Sequence, residues 1–137
     1  MQITHRSTCV IVPYFLKKGK GKFITIGSTG GIRPRPCLVW YNASKAAAML
    51  ATKNMAVEYA SRGIRFNSVC PGFGGHTRLS SHFMGKKNTD ENRAQFEAVV
   101  PMGCGAEASD VVSACLFLAS DEACFMSEDL GDGGRCV

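Results

Sequence analysis

Apolar residues crowd at Val10, Ile11, Val12, Tyr14, Phe15 and Leu16, which predicts the end of an apolar helix over residues 3–16. Pro13 should kink it, and Gly19 and Gly21 should stop it. Phe23 to Ile26 is a short β-type run. Residues 40–61 give the clearest helix: alanines and methionines dominate, Lys45, Lys53 and Glu58 fall on other faces, and Gly63 supplies the stop. Ile64 to Val69 alternates less cleanly, as a buried parallel strand does. Residues 71–88, rich in glycine after Pro71, read as loop. Asn88-Thr89-Asp90-Glu91 offers a capping-box start for a helix through Val100. Ser109 or Asp110 begins another through Leu118, and Leu130 to Val137 can hold a final strand. Strands separated by helices predict an α/β fold with a parallel sheet.

The chain has 137 residues, a length that suits one domain over 1–137. Its net charge is +5, but the basic residues are dispersed. The densest run, Lys17-Lys18-Gly19-Lys20-Gly21-Lys22, precedes a strand and reads as a solvated turn. No interleaved aromatics or basic helical face accompany it, so no nucleic-acid partner is expected. Seven scattered cysteines without a C-x-x-C pair argue for reduced thiols rather than a disulfide framework or a zinc site. No run is long enough to span a membrane and none resembles a signal peptide, so a cytoplasmic location is expected.

Chemistry concentrates in Tyr41-Asn42-Ala43-Ser44-Lys45, with Ser28 thirteen residues before the tyrosine. Helix positions four apart share a face, so a phenol and an ammonium stand side by side. A neighbouring positive charge favours a phenolate, and such a tyrosine can exchange a proton with an alcohol or carbonyl oxygen. A serine hydroxyl nearby can donate to the same oxygen. The bland alternatives are a tyrosine packed with Trp40, a solvated helix lysine and a strand-end serine cap. Gly27-Ser28-Thr29-Gly30-Gly31 also imitates a phosphate-binding loop. That loop needs a helix at its last glycines, and Arg33-Pro34-Arg35-Pro36 opposes one. Trp40, Phe73, His76, Phe83 and Met84 are candidates to line an apolar pocket.

These residues, with Asn67-Ser68-Val69-Cys70-Pro71-Gly72 and the late Asp132-Gly133-Gly134, resemble the pattern of the short-chain dehydrogenases/reductases. The pattern is a strand-end serine, Y-x-x-x-K on the next helix, then a strand ending in N-x-x-x-P-G. The resemblance implies a partial Rossmann-like, doubly wound parallel sheet whose N-terminal half, with the phosphate-binding glycines, is missing. Members of that family run to roughly 250 residues as one domain. It implies an oxidoreductase using NAD or NADP, moving hydride between the cofactor and a small alcohol or ketone. Ser28, Tyr41 and Lys45 would be catalytic. Tyr41, Lys45, Pro71, Gly72 and Thr77 would hold the nicotinamide end of the cofactor. Asn67 would hold loop backbones. The helices at 3–16 and 40–61 pair subunits in the family, so a homo-oligomer is implied. The alternative is a catalytically inactive truncated fragment acting as a dimerisation or interaction module.

Overall fold

The computed structural model describes residues 2–72, 74 and 80–127. Its first helix, α1 (Gln2–Lys18), runs through Pro13 without ending there. Proline removes one backbone donor, but Val12 is buried and Ile11 and Phe15 pack on the core. Most helical stability in a folded chain comes from such packing. After α1 come β1 (Gly21–Ile26), α2 (Val39–Tyr59) and β2 (Ile64–Val69). The two strands pair in parallel, with Phe23 opposite Phe66 and Ile26 opposite Val69. A 3-10 turn, Ala60–Arg62, extends α2, and Gly63 at φ 71° lets the chain reverse into β2.

Alternation along the strands separates two faces. Ile64 and Phe66 point to the side covered by α1 and α2, where they join Val12 and Ala56 in the buried core. The rings of Phe23 and Tyr59 stand 5.6 Å and 5.9 Å from Phe66. Thr52, fully buried, donates to the Ala48 carbonyl at 2.9 Å. Its single proton is thereby used, so Thr25 is the donor in the 2.6 Å bond between the two hydroxyls.

Three further helices follow: α3 (Ser80–Met84), α4 (Asp90–Glu97) and α5 (Ala108–Ala119). The segment 71–88 is therefore not all loop, since α3 lies within it. Ser80 is fully buried and donates to the Gly74 carbonyl at 2.8 Å, which anchors that short helix. Within the expected start of α4, Thr89 is the N-cap, accepting from the Asn92 N–H at 3.3 Å, and the helix ends at Glu97 rather than Val100. At the start of α5, the Asp110 carboxylate accepts the Glu107 N–H at 2.8 Å.

The second face of β2 holds the segment after α5. Arg65 donates to the Ser120 carbonyl at 2.9 Å and to the Met126 carbonyl at 3.0 Å. Asn67 Nδ2 donates to the same Met126 oxygen at 2.9 Å, so this asparagine does hold a loop backbone. Ser127 Oγ accepts the Phe66 N–H at 3.2 Å. The final strand expected over Leu130 to Val137 lies outside the described residues. Among the described residues no helix is long and apolar enough to cross a membrane.

Candidate functional site

Both parallel strands end at the same edge, and in open α/β sheets that carboxyl edge is where ligands bind. Just past the strand ends, Gly27 N–H donates to the Val69 carbonyl at 2.8 Å and Thr29 N–H to the Pro71 carbonyl at 3.1 Å. The turn after β1 and the Pro71-Gly72 segment after β2 are thus bonded to one another. Ser28 sits in the first of these in an extended conformation and caps the 3-10 turn Thr29–Gly31. Its Oγ accepts the Gly30 N–H at 3.1 Å, and the residue is buried. Accepting leaves the hydroxyl proton able to donate. The serine therefore fills the cap role of its bland reading while keeping its donor.

The turn is pressed onto the start of α2. A Cβ placed on Gly30 would stand 3.5 Å from both Ser28 Oγ and Tyr41 Cε1, so the serine hydroxyl and the edge of the tyrosine ring lie close together beside Gly30. A Cβ on Gly31 would stand 2.9 Å from the Ala46 nitrogen, so only glycine permits this approach. The glycines seat the serine turn, and no α-helix starts at them, which removes the phosphate-loop reading. Lys45 lies on the same helix face as Tyr41, with Nζ 5.9 Å from the centre of the tyrosine ring. The ammonium reaches back to donate to the Ile26 carbonyl at 2.8 Å, at the end of β1.

Pro71 and Gly72 close the same edge. Gly72 is exposed, and among the described residues a Cβ added there would meet nothing within 4 Å. Thr77, Phe73 and His76 lie outside the described residues. Trp40, the residue before Tyr41 in the first turn of α2, is 86 % exposed among the described residues. Met84 does line a small cavity. Among the described residues no group of three His, Cys, Asp or Glu side chains could hold a metal ion. Two residues here escaped the sequence reading. Asn42 is buried, donates from Nδ2 to the Arg35 carbonyl at 2.9 Å and leaves Oδ1 without a partner. Arg35 stacks its guanidinium 4.7 Å from the centre of the Phe96 ring. Its place between Ser28 and Tyr41 was the only available signal.

A family model described as enoyl-(acyl carrier protein) reductase matches residues 4–130. The chain belongs to the short-chain dehydrogenase/reductase family. A 4-formylbenzenesulfonate dehydrogenase from Comamonas testosteroni is 42% identical over 129 residues, covering 92% of this chain and 50% of that protein. A 2-(S)-hydroxypropyl-CoM dehydrogenase from Xanthobacter autotrophicus is 34% identical over 112 residues, covering 82% and 44%. Among solved structures, one from Beutenbergia cavernae, provisionally named an NAD(P)-dependent gluconate 5-dehydrogenase and holding NADP at low occupancy, superposes with a TM-score of 0.84. It is 28% identical over 93% of this chain and 49% of its own. This short-chain dehydrogenase/reductase chain therefore spans about half the length of the relatives it matches. Its sheet and helices are part of their Rossmann-like architecture.

Proposed function

We propose that this chain carries the proton-transfer half of an NAD(P)-dependent oxidoreductase acting on a small alcohol or ketone. The observation that carries the reading is the closeness of Ser28 Oγ to the Tyr41 ring beside Gly30, with Lys45 on the same helix face as the tyrosine. A nicotinamide cofactor, when bound, supplies or accepts the hydride. The residues fit such a group: a Cβ added to the exposed Gly72 would meet nothing among the described residues, and Lys45 spends one donor on Ile26 and keeps others. Tyr41 exchanges the proton with the substrate oxygen, while Ser28 donates a hydrogen bond that fixes that oxygen. Lys45 would keep positive charge beside the phenol and hold ribose hydroxyls, and Pro71, Gly72 and Thr77 are the residues that would hold the nicotinamide end.

The NADP held by the Beutenbergia structure supports the choice of cofactor class. The test is a completed protein, with an N-terminal half supplied by a longer reading frame or by fusion to that of the Comamonas relative. Tyr41→Phe should lower carbonyl reduction by ~10²–10⁴-fold, the usual weight of general acid–base catalysis, with cofactor binding nearly intact. Lys45→Ala should harm both. Turnover of Tyr41→Phe near that of the parent would remove the tyrosine from its role.

A second reading, a module that pairs copies of the chain through α1 and α2 without turnover, is favoured by one observation. Val10 on α1 and Leu50 and Val57 on α2 are all exposed. The two readings are compatible, because catalysis and pairing use different faces of α2.

A further inference from the structure

We propose that Arg35 and Lys86 form an anion-recognition end of the substrate site, so that the alcohol or carbonyl substrate carries a compact carboxylate or sulfonate. The inference rests on the oxidoreductase reading above and names the class of substrate that reading takes.

Arg35 lies on the loop that joins Ser28 to Tyr41, and its carbonyl is held by Asn42, the residue next to the tyrosine. Pro34 and Pro36 flank it and fix the backbone on both sides. Its position is thereby tied to the start of α2. The half-buried guanidinium lies over Phe96 of α4, which occupies one face of the plane. The N–H donors point outward from the edge of that plane, in the fork geometry that suits a two-oxygen anion.

Phe96 also lines a cavity of about 220 Å³ between α3 and α4, together with Met84, Lys86, Asn92, Gln95 and Val99. That is below the ~300–1,000 Å³ of sites for drug-sized ligands, so a small acid is the better fit. The Lys86 ammonium reaches only the neutral Gln95 Oε1, at 3.4 Å. Phe96 thus joins the two cations: Arg35 lies over its ring, and Lys86 lines the same cavity as that ring. Among the described residues the ion pairs are Lys22 with Asp121 and Arg93 with Asp90, so neither Arg35 nor Lys86 is matched by an acid. Asp90, the acid in the first turn of α4, is already taken by Arg93. An anion entering there meets two cations that no carboxylate among the described residues already holds.

The experiment is a ligand-observed NMR titration of the 137-residue chain with benzoate, benzenesulfonate and neutral benzamide at low salt. The anions should bind about tenfold more tightly than benzamide, the weight of a charge-assisted hydrogen bond, and added salt should shrink the gap. Which anion binds better separates a carboxylate from a sulfonate substrate. Arg35→Gln should abolish the preference and Lys86→Gln should reduce it, whereas Arg33→Gln, at an exposed neighbour, should leave it. Lys86 is exposed, so its variant keeps the test valid if Arg35→Gln fails to fold. Equal binding of the three probes, or a preference that survives both substitutions, would overturn the proposal. The titration involves neither cofactor nor turnover. Failure here beside Tyr41-dependent turnover in the completed protein would sink the anion assignment alone.

Discussion

At Gly31 the loop carrying Ser28 meets α2 so closely that an added Cβ would lie 2.9 Å from the Ala46 nitrogen and 3.1 Å from the Lys45 carbonyl carbon. Both are backbone atoms, so no rotamer change relieves the clash and the turn must lift. Overpacking of this kind costs ~1–3 kcal/mol. Gly31→Ala should lower the urea midpoint accordingly, and in a completed protein it should reduce turnover by parting Ser28 from Tyr41. Gly72→Ala, where the new Cβ meets nothing within 4 Å, is the stability control and should leave the midpoint almost unmoved. A Gly31→Ala chain as stable as its parent would show that the turn adapts freely. Ser28, Tyr41 and Lys45 were legible in the sequence because helix periodicity and a fixed spacing place them. Gly31, Asn42 and Arg35 were not, because their roles depend on which helix the turn happens to press against. That is a tertiary fact with no local pattern.

The same division holds for the elements. The strand over Ile64–Val69 and the long helix after Leu38 were readable, since the helix carries a sustained run of alanines and methionines and Gly63 marks the boundary between the two. The short helix α3 was not, because five residues carry too little periodicity and its anchor is the buried Ser80 hydroxyl. The attachment of the segment after α5 was equally hidden. It uses Arg65, the Phe66 N–H and Asn67 of β2, and on β1 the 2.6 Å pair between Lys22 and Asp121. A hydrogen bond from Lys22, and then its charge, hold the Asp121 carboxyl below its ordinary value of 3.8. A depressed folded-state value adds stability that is present above the unfolded value. That stability is lost as pH falls through the folded one. Asp121→Asn should therefore be slightly less stable than its parent near neutral pH, and the two should converge under acid conditions. Asp121 is almost fully exposed, so the difference should be small and should fade with salt. Melting temperatures of both chains across pH would check this. A gap that widens on acidification would assign the pair the wrong sign.

Among the described residues many large apolar side chains on the helices are exposed. On α1, Ile3 and Val10 lie seven residues apart with Tyr14 four further on, so they share one face, and all three are exposed. Leu50 and Val57 repeat the spacing on α2 and are 60% and 70% exposed. On the other side of the sheet, Val112, Leu116 and Phe117 of α5 are also exposed. Among the described residues β1 pairs with β2 alone, so its other edge offers unpaired backbone groups. Open edges and contiguous apolar patches recruit other chains. The chain should therefore self-associate, and sedimentation should show a mass that rises with concentration. Two surfaces compete for that role, and substitution separates them. If copies pair through α1 and α2, Val10→Glu with Leu50→Glu should return the chain toward monomer, and Leu116→Glu should not. If the open edge and α5 dominate, the outcome reverses, since a charge on the α1 and α2 faces leaves that side untouched. A monomer at every concentration, with its native circular dichroism, would mean that neither surface is adhesive and would remove the pairing module as a reading of this chain.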